Sequence, residues 1–354
     1  ILIEILLTVS VGVADTMMVS QAGETAVSGV SCFNTIQNFL IALFSAFATG
    51  GSVVVGQLLG MKNYERDKNA VKDLMYLTLL VSILLSLSFI GFKEPLLRLI
   101  YGESEEAVIT SALDYALPIL ISLPFLASQS SLNAILRVQG KTKTTMWTSI
   151  IANIINVVGN AIFILVFDMG ALGVGISTLI SRIISALILF FASRNKGLQA
   201  PLEKILQFRH QGNMMGTIFS IALPSGIENS IFQLGKIVMI ATIAQCGTSS
   251  MAAFSVLDNI GTFSNITGQA AGQTLMVVGG YAAGAGRFDE SRRLTKVFLA
   301  IAYASMAILA VIILIFLKPI ISIYSFSQET ADLSYRILFE YMFWSTIVWP
   351  TSFA

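Results

Sequence analysis

Asp15 lies in an apolar run, between Val13, Ala14, Thr16 and Met17, with no cation beside it in the chain. A carboxylate in such surroundings is costly unless it is paired, hydrated or neutralised. Asp15 is therefore a candidate for exchanging a proton or holding a cation. The alternative is a carboxylate that caps a neighbouring helix end or pairs with a buried cation. Asn153, Asn156 and Asn160 share another apolar run, and their spacing puts all three amides on one helix face. Amide oxygens ligate a hard cation without adding charge. Amides also hydrogen-bond between membrane helices; both readings stand for Asn156 and Asn160, and for Asn153 the hydrogen-bonding one is favoured. Thr178 offers one more oxygen.

A second polar set lies later in the chain. Glu228 and Lys236 are separated by about 12 Å of helical rise, too far to touch. Lys236 must therefore find another anion or water. Glu228 is either a coupling carboxylate or an interfacial one placed at a helix start by the dipole. Two further runs carry polar faces: Asn34, Gln37 and Asn38 in the first, and Asp258, Asn259, Asn265, Gln269 and Gln273 in the second. Such faces meet lipid only at high cost, so they line water, a substrate cavity or a seam between lobes.

The elements that hold these residues follow from composition. Hydrophobic residues make up 55% of the chain, charged ones 12%, and the mean hydropathy is +0.80. A soluble domain carries about 25% charged residues, so this chain belongs in a bilayer. A net charge of +1 gives no reason to expect a nucleic-acid partner. Cys32, Cys246 and His210 supply neither a disulfide framework nor a metal cluster. No cofactor is expected, and no metal beyond a Na+ at Asp15.

Apolar runs fall at 1–20, 34–58, 74–92, 112–136, 146–167, 171–193, 217–244, 254–282, 297–317 and 332–354. Each is near the roughly 20 residues that a membrane helix needs. Fifteen of the 21 Lys and Arg residues fall in alternate connections, which makes that side cytoplasmic. The stretch 279–286, though Gly-rich, lacks the Lys-Ser/Thr of a phosphate loop, which points away from ATP and toward an ion gradient.

Residues 1–130 recur at 225–354 in fixed register, offset by 224. Glu4 meets Glu228, Gly56 and Gly60 meet Gly280 and Gly284, Lys72 meets Lys296, and Pro95 meets Pro319. The matches fall on Glu, Gly, Lys and Pro rather than on commonplace aliphatics. The expected fold is an all-α integral membrane protein of two lobes, parallel repeats about an axis along the membrane normal. The first lobe is 1–193 with six helices, 194–216 is a cytoplasmic linker, and the second lobe is 217–354 with four. Duplication predicts two more helices, so the chain reads as a fragment of a twelve-helix protein.

Several segments resemble the multidrug and toxic compound extrusion (MATE) family. They are VGVADTMMVSQAGETAVSGVS (11–31), GQLLGMKNYERDKNAVK (56–72), LNAILRVQGKTKTTMWTSIIANIINVVGNAIFI (132–164) and ALGVGISTLISR (171–182). LPSGIENSIFQLGK (223–236) and GQAAGQTLMVVGGYAAGAGRFDESRR (268–293) continue the pattern. The resemblance implies an antiporter that exports organic, cationic or amphipathic compounds in exchange for Na+ or H+. It would be a monomer with small organic substrates, in a bilayer, multi-pass in a bacterial cytoplasmic membrane. In one branch of the family the cation site resembles an Asp on helix one, an Asn and an Asp four apart on helix five, and a Thr on helix six. Asp15, Asn156 and Thr178 match that pattern. Asn160 departs from it, with an amide in the second carboxylate's place. Glu228 resembles an acidic residue that another branch uses for coupling. Lys236, Asp258 and Gln269 are the remaining candidates for coupling or for the cavity wall in the second lobe, as Asn34, Gln37 and Asn38 are in the first. A flippase for a lipid-linked saccharide shares the twelve-helix plan, but would want a more cationic cavity than Arg182 and Lys236 offer. An intramembrane enzyme would need a nucleophile–base or metal constellation, which the residue inventory lacks.

Overall fold

Apolar side chains cover the exposed faces of the long helices, and small hydroxyls are buried among the apolar residues between them. Helix α3 (Tyr64–Tyr101) shows it clearly. Leu80, Ile83, Leu84 and Leu87 are exposed on one face, whereas Thr78, Ser82 and Ser86 are buried on the other. Their hydroxyls fold back on carbonyls or cross to a neighbour: Thr78 Oγ1 donates to Leu74 O at 2.8 Å and receives Ser131 Oγ at 3.1 Å. An apolar face meets lipid at no cost, and buried hydroxyls bind helices together.

The computed structural model describes residues 1–7, 18–19, 24–101, 106–195, 197–202, 214–244, 248–322 and 328–353. They are mostly helical, with no strand among them. Besides α1 (2–7), the helices are α2 (Glu24–Gly60), α3, α4 (Glu106–Ile121), α5 (Leu123–Val138), α6 (Thr142–Asn160) and α7 (Gly170–Ser193). Then come α8 (Met214–Ala244), α9 (Thr248–Gly284), α10 (Phe288–Ile315), α11 (Leu317–Ser322) and α12 (Gln328–Phe353). Among the described residues five helices are long and apolar enough to cross a membrane, or six if the pair α4–α5, bent by 50°, is one span.

The chain divides into two units, Leu7–Ser230 and Ile231–Ala354 together with Ile1–Leu6. In the first unit, α2 packs on α3, α4 and α5, and α7 packs on α4, α5 and α6. Phe33, Leu40, Phe44, Ile119 and Leu123 fill the core between α2, α4 and α5. In the second unit, α9 packs on α10 and α12, with Val256, Leu317, Leu338 and Met342 in its core.

Two features depart from the plain spans expected at 112–136 and 146–167. The run 112–136 is broken at Ser122, because Pro124 has no N–H for the carbonyl of Leu120. That carbonyl instead accepts Ser86 Oγ of α3 at 2.8 Å. The run 146–167 ends in a π-helical turn, Ala161–Val166, directly after Asn160. Such turns are frequent at functional sites.

Candidate functional site

In the first unit the polar candidates converge on α6 and α7. Asn156 Nδ2 donates to Thr178 Oγ1 at 3.2 Å, and Asn160 Nδ2 faces Asn156 Oδ1 at 3.5 Å. All three residues are buried. Ser177 Oγ donates to the carbonyl of Asn156 at 2.6 Å. Gly159 makes this approach possible: a methyl group there would lie 2.5 Å from Ser177 Oγ. Asn153, the third amide of the face, is half-buried, and its Nδ2 finds no hydrogen-bond acceptor among the described residues. Asp15 lies outside the described residues.

One turn beyond Thr178 on α7, Arg182 is buried and its Nη1 donates to Ser122 Oγ at 2.6 Å. The guanidinium therefore holds the break between α4 and α5. One helix face thus serves both the amide cluster and the helix break.

Asn34 and Gln37 on α2 face α4. The Tyr115 hydroxyl lies 3.1 Å from Asn34 Oδ1 and 3.3 Å from Gln37 Oε1. Asn38 is exposed on a different face of α2. Glu228 is exposed on α8.

In the second unit the anion that Lys236 needs is Asp258. Lys236 Nζ lies 2.7 Å from Asp258 Oδ1, joining α8 to α9. Further along α9, Asn265 Nδ2 donates to the Tyr341 hydroxyl of α12 at 3.1 Å. Gly261, between Asp258 and Asn265, leaves room for that phenol: a methyl group there would lie 2.8 Å from Tyr341 Oη. Phe232 on α8 meets the Trp349 ring of α12 edge to face, centroids 5.7 Å apart. Gln269 is half-buried on α9.

Tyr115, Tyr341 and Trp349 were not singled out from the sequence. An aromatic in an apolar run reads as packing, and only the polar partner on the next helix marks it as a connector. The partners Asn34, Gln37 and Asn265 carried the legible signal. The nearest clue was that each needs a donor or acceptor from a neighbouring helix.

A sequence model of the MatE family matches residues 1–162 and 224–354. The probable multidrug resistance protein YoeA of Bacillus subtilis is 24% identical, over 93% of this chain and 76% of that protein. The uncharacterized transporter YisQ of the same organism is 29% identical, over 93% of this chain and 72% of its own length. Among solved structures, the outward-facing conformation of a multidrug resistance MATE family transporter of the MOP superfamily superposes with a TM-score of 0.92. That match covers 99% of this chain and 78% of the other at 18% identity, which speaks for the fold.

Proposed function

The chain belongs to the MatE family, and on that footing we propose that it is a secondary antiporter exporting organic, cationic or amphipathic compounds in exchange for sodium ions or protons. It is a multi-pass membrane transporter, not an enzyme. The observation that supports ion coupling is the buried cluster of Asn156, Thr178 and Asn160 beside the π-helical turn. Uncharged oxygens in a dry helix pair are costly to keep unless they serve packing or an ion. Asp15 supplies the charge in this reading. When an ion or proton neutralises Asp15, the carboxylate can be buried and the helices around it repack. Substrate affinity then falls and release follows, a reciprocal coupling of two sites. The protein works as a monomer in the lipid bilayer, with Glu228 as the alternative coupling carboxylate.

The test is efflux of a cationic dye from vesicles carrying the protein, under a sodium gradient alone and under a proton gradient alone. Efflux should follow one of the two and stop when that gradient is collapsed. Efflux that persists without either gradient and follows added ATP would sink the reading.

A further inference from the structure

Asp67 stands in the first turn of α3, yet that turn does not need its carboxylate. Asn63 caps it: Arg66 N donates to Asn63 Oδ1 at 3.3 Å, and Asp67 N donates to Asn63 O at 3.0 Å. Asp67, Val71, Leu74 and Thr78 recur at helical spacing on one face of α3, and all four are fully buried. Thr78 joins that face to α5, where its hydroxyl receives Ser131 Oγ. Leu74 joins it to α2, in the room left by Gly51. Neither oxygen of Asp67 has a hydrogen-bond partner among the described residues. Since none of the residue is open, groups not already packed on it have no way to supply one.

The charged groups of the elements packed on α3 leave Asp67 unanswered. Lys62 after α2, and Lys141 and Lys143 after α5, are exposed to solvent. Arg137 on α5 and Asp73 on α3 have other partners. Glu106 of α4 pairs with Arg98 at the far end of α3. On α3 itself Lys68 pairs with Glu65, and Arg66 is exposed. Burial is accordingly the one cause that raises the Asp67 pKa. Among the described residues no group of three His, Cys, Asp or Glu side chains could hold a metal ion, which leaves the proton as the ligand.

We propose that Asp67 is a proton-binding site that latches the start of α3, and the α2–α3 turn with it, onto α5. With the proton on, the carboxyl is neutral and the buried face stays docked. Without it, an unpaired charge is buried, and the cost is relieved by drawing in water or by lifting the first turns of α3 off their neighbours. The site lies at the Lys- and Arg-rich end of α3, on the side expected to be cytoplasmic. It is separate from Asp15 and Glu228, and senses pH without carrying an ion across. Release loosens the frame of α2, α3 and α5, so export slows as the cytoplasm turns alkaline. Only this effect on export rests on the antiporter reading above; the latch stands on the side chains named here.

The test is hydrogen exchange of the full chain in lipid nanodiscs, corrected for the intrinsic effect of pH on amide chemistry. In the parent, protection of the amides of residues 70–74 should fall about tenfold per pH unit from about pH 5 to about pH 7. In Asp67→Asn it should stay flat, and Asp67→Leu takes its place if the Asn variant does not fold. Amides of α10 should respond in neither protein. Infrared difference spectra give a second readout: the carbonyl band of a protonated carboxyl should fade as pH rises through about 7 in the parent, and be missing from Asp67→Asn. Flat protection in the parent, or an equal fall in the variant, would overturn the latch. At equal gradients, the ratio of parent to Asp67→Asn dye efflux should fall at least about twofold between about pH 6 and about pH 8. A constant ratio would remove the effect on export. Exchange as expected, with no gradient-driven efflux by either protein, would remove the antiporter reading and leave the latch.

Discussion

Lys62 and Gly286 occupy the same left-handed turn, 224 residues apart, with φ of 57° and 73°. Their hydrogen bonds correspond one for one. Lys62 N donates to Leu59 O and Asn63 N to Leu58 O; Gly286 N donates to Ala283 O and Arg287 N to Ala282 O. Each pair closes the end of a 37-residue helix, α2 in one half and α9 in the other. This is the Schellman arrangement, in which a residue past the helix end turns left-handed so that the last carbonyls are satisfied. The repeat is thus preserved in backbone conformation, although Gly fills the position in one copy and Lys in the other.

That difference yields a prediction of stability. A Lys at φ near 57° carries the steric cost of a Cβ beside the following carbonyl, about 1 kcal/mol. Lys62→Gly should therefore stabilise the protein by up to about 1 kcal/mol, and Gly286→Ala should destabilise it by a similar amount. Thermal unfolding of both variants in detergent checks this. A lower midpoint for Lys62→Gly would show that its side chain contributes more than its backbone costs.

Most of the helical plan was legible because apolar runs and charged connections alternate so plainly. The duplication was legible because its matches fell on uncommon residue types at helix ends, such as Gly60 and Gly284, which end α2 and α9. The break at Ser122 was not, because a Pro inside an apolar run is tolerated in membrane helices and does not announce a 50° bend. The amides Asn156 and Asn160 announced themselves by type. Their link to Thr178 depends on α6 and α7 approaching at Gly159, a tertiary fact that spacing along either helix cannot carry. The pairing of Lys236 with Asp258 was half legible: the need for an anion was clear, and the choice among several polar residues of α9 was not.

The Gly159 approach can be probed directly. A methyl group 2.5 Å from Ser177 Oγ must push α7 away or displace the serine. Either movement stretches the 2.6 Å bond from Ser177 to the Asn156 carbonyl. Gly159→Ala should lower stability by about 1–3 kcal/mol, the usual cost of overpacking. It should also weaken gradient-driven efflux more than an alanine on a lipid-facing position such as Val158→Ala does. Equal behaviour of the two variants in unfolding and efflux would show that the close approach is dispensable.

The helix break makes a separate prediction. Ser122 Oγ accepts from the Arg182 guanidinium at 2.6 Å and donates to Ile119 O at the same distance. Removing the hydroxyl takes a partner from a buried charged donor, at about 1–3 kcal/mol. Ser122→Ala should cost that much. Ser86→Ala, which leaves the Leu120 carbonyl without its hydroxyl, should cost about 1 kcal/mol. Unfolding midpoints measured side by side decide it; no loss for Ser122→Ala would mean that the arginine does not hold the break.

Asp67 gives a pH dependence. At 38 residues, α3 is about 57 Å long, well beyond a hydrocarbon core of about 30 Å. Its first turns carry Glu65, Arg66, Asp67, Lys68, Lys72 and Asp73, ahead of the apolar run 74–92, which puts them outside the span expected from the sequence. Asp67 is nevertheless fully buried, and neither carboxylate oxygen has a hydrogen-bond partner among the described residues. Desolvation pushes its pKa up to about 7. The folded state then binds the proton more tightly than the unfolded chain does. Stability from this group is complete below the ordinary carboxylate pKa near 3.8 and is lost as pH rises to about 7. Asp67→Asn should remove that decline. Its unfolding midpoint should exceed that of the parent at pH 8 and match it near pH 4. A parent protein that gains stability between pH 4 and pH 7 relative to Asp67→Asn would contradict the sign.

The last prediction concerns ion choice. The α6–α7 cluster presents amide and hydroxyl oxygens but no acidic group of its own at Asn156, Asn160 or Thr178. If Asp15 is its single carboxylate, as proposed, the ion site holds one formal negative charge. That is enough for a proton to neutralise, and a marginal charge for stripping the hydration shell from a sodium ion. Asn160→Asp adds a second carboxylate one turn from Asn156, on the same face. Two carboxylates can hold a sodium ion together with one proton and remain neutral, so the variant should bind sodium more tightly. Asp15→Asn should have the opposite effect: inserted and folded, with efflux no longer tied to either gradient. Efflux is measured against imposed sodium and proton gradients for the parent and both variants, with expression matched. Asn160→Asp should move the half-maximal sodium concentration down by about tenfold or more, since one added carboxylate within contact distance of a buried cation changes affinity by at least 1.4 kcal/mol. Unchanged sodium dependence in Asn160→Asp, together with normal gradient-driven efflux in Asp15→Asn, would remove the first lobe from ion coupling and place Glu228 next under test.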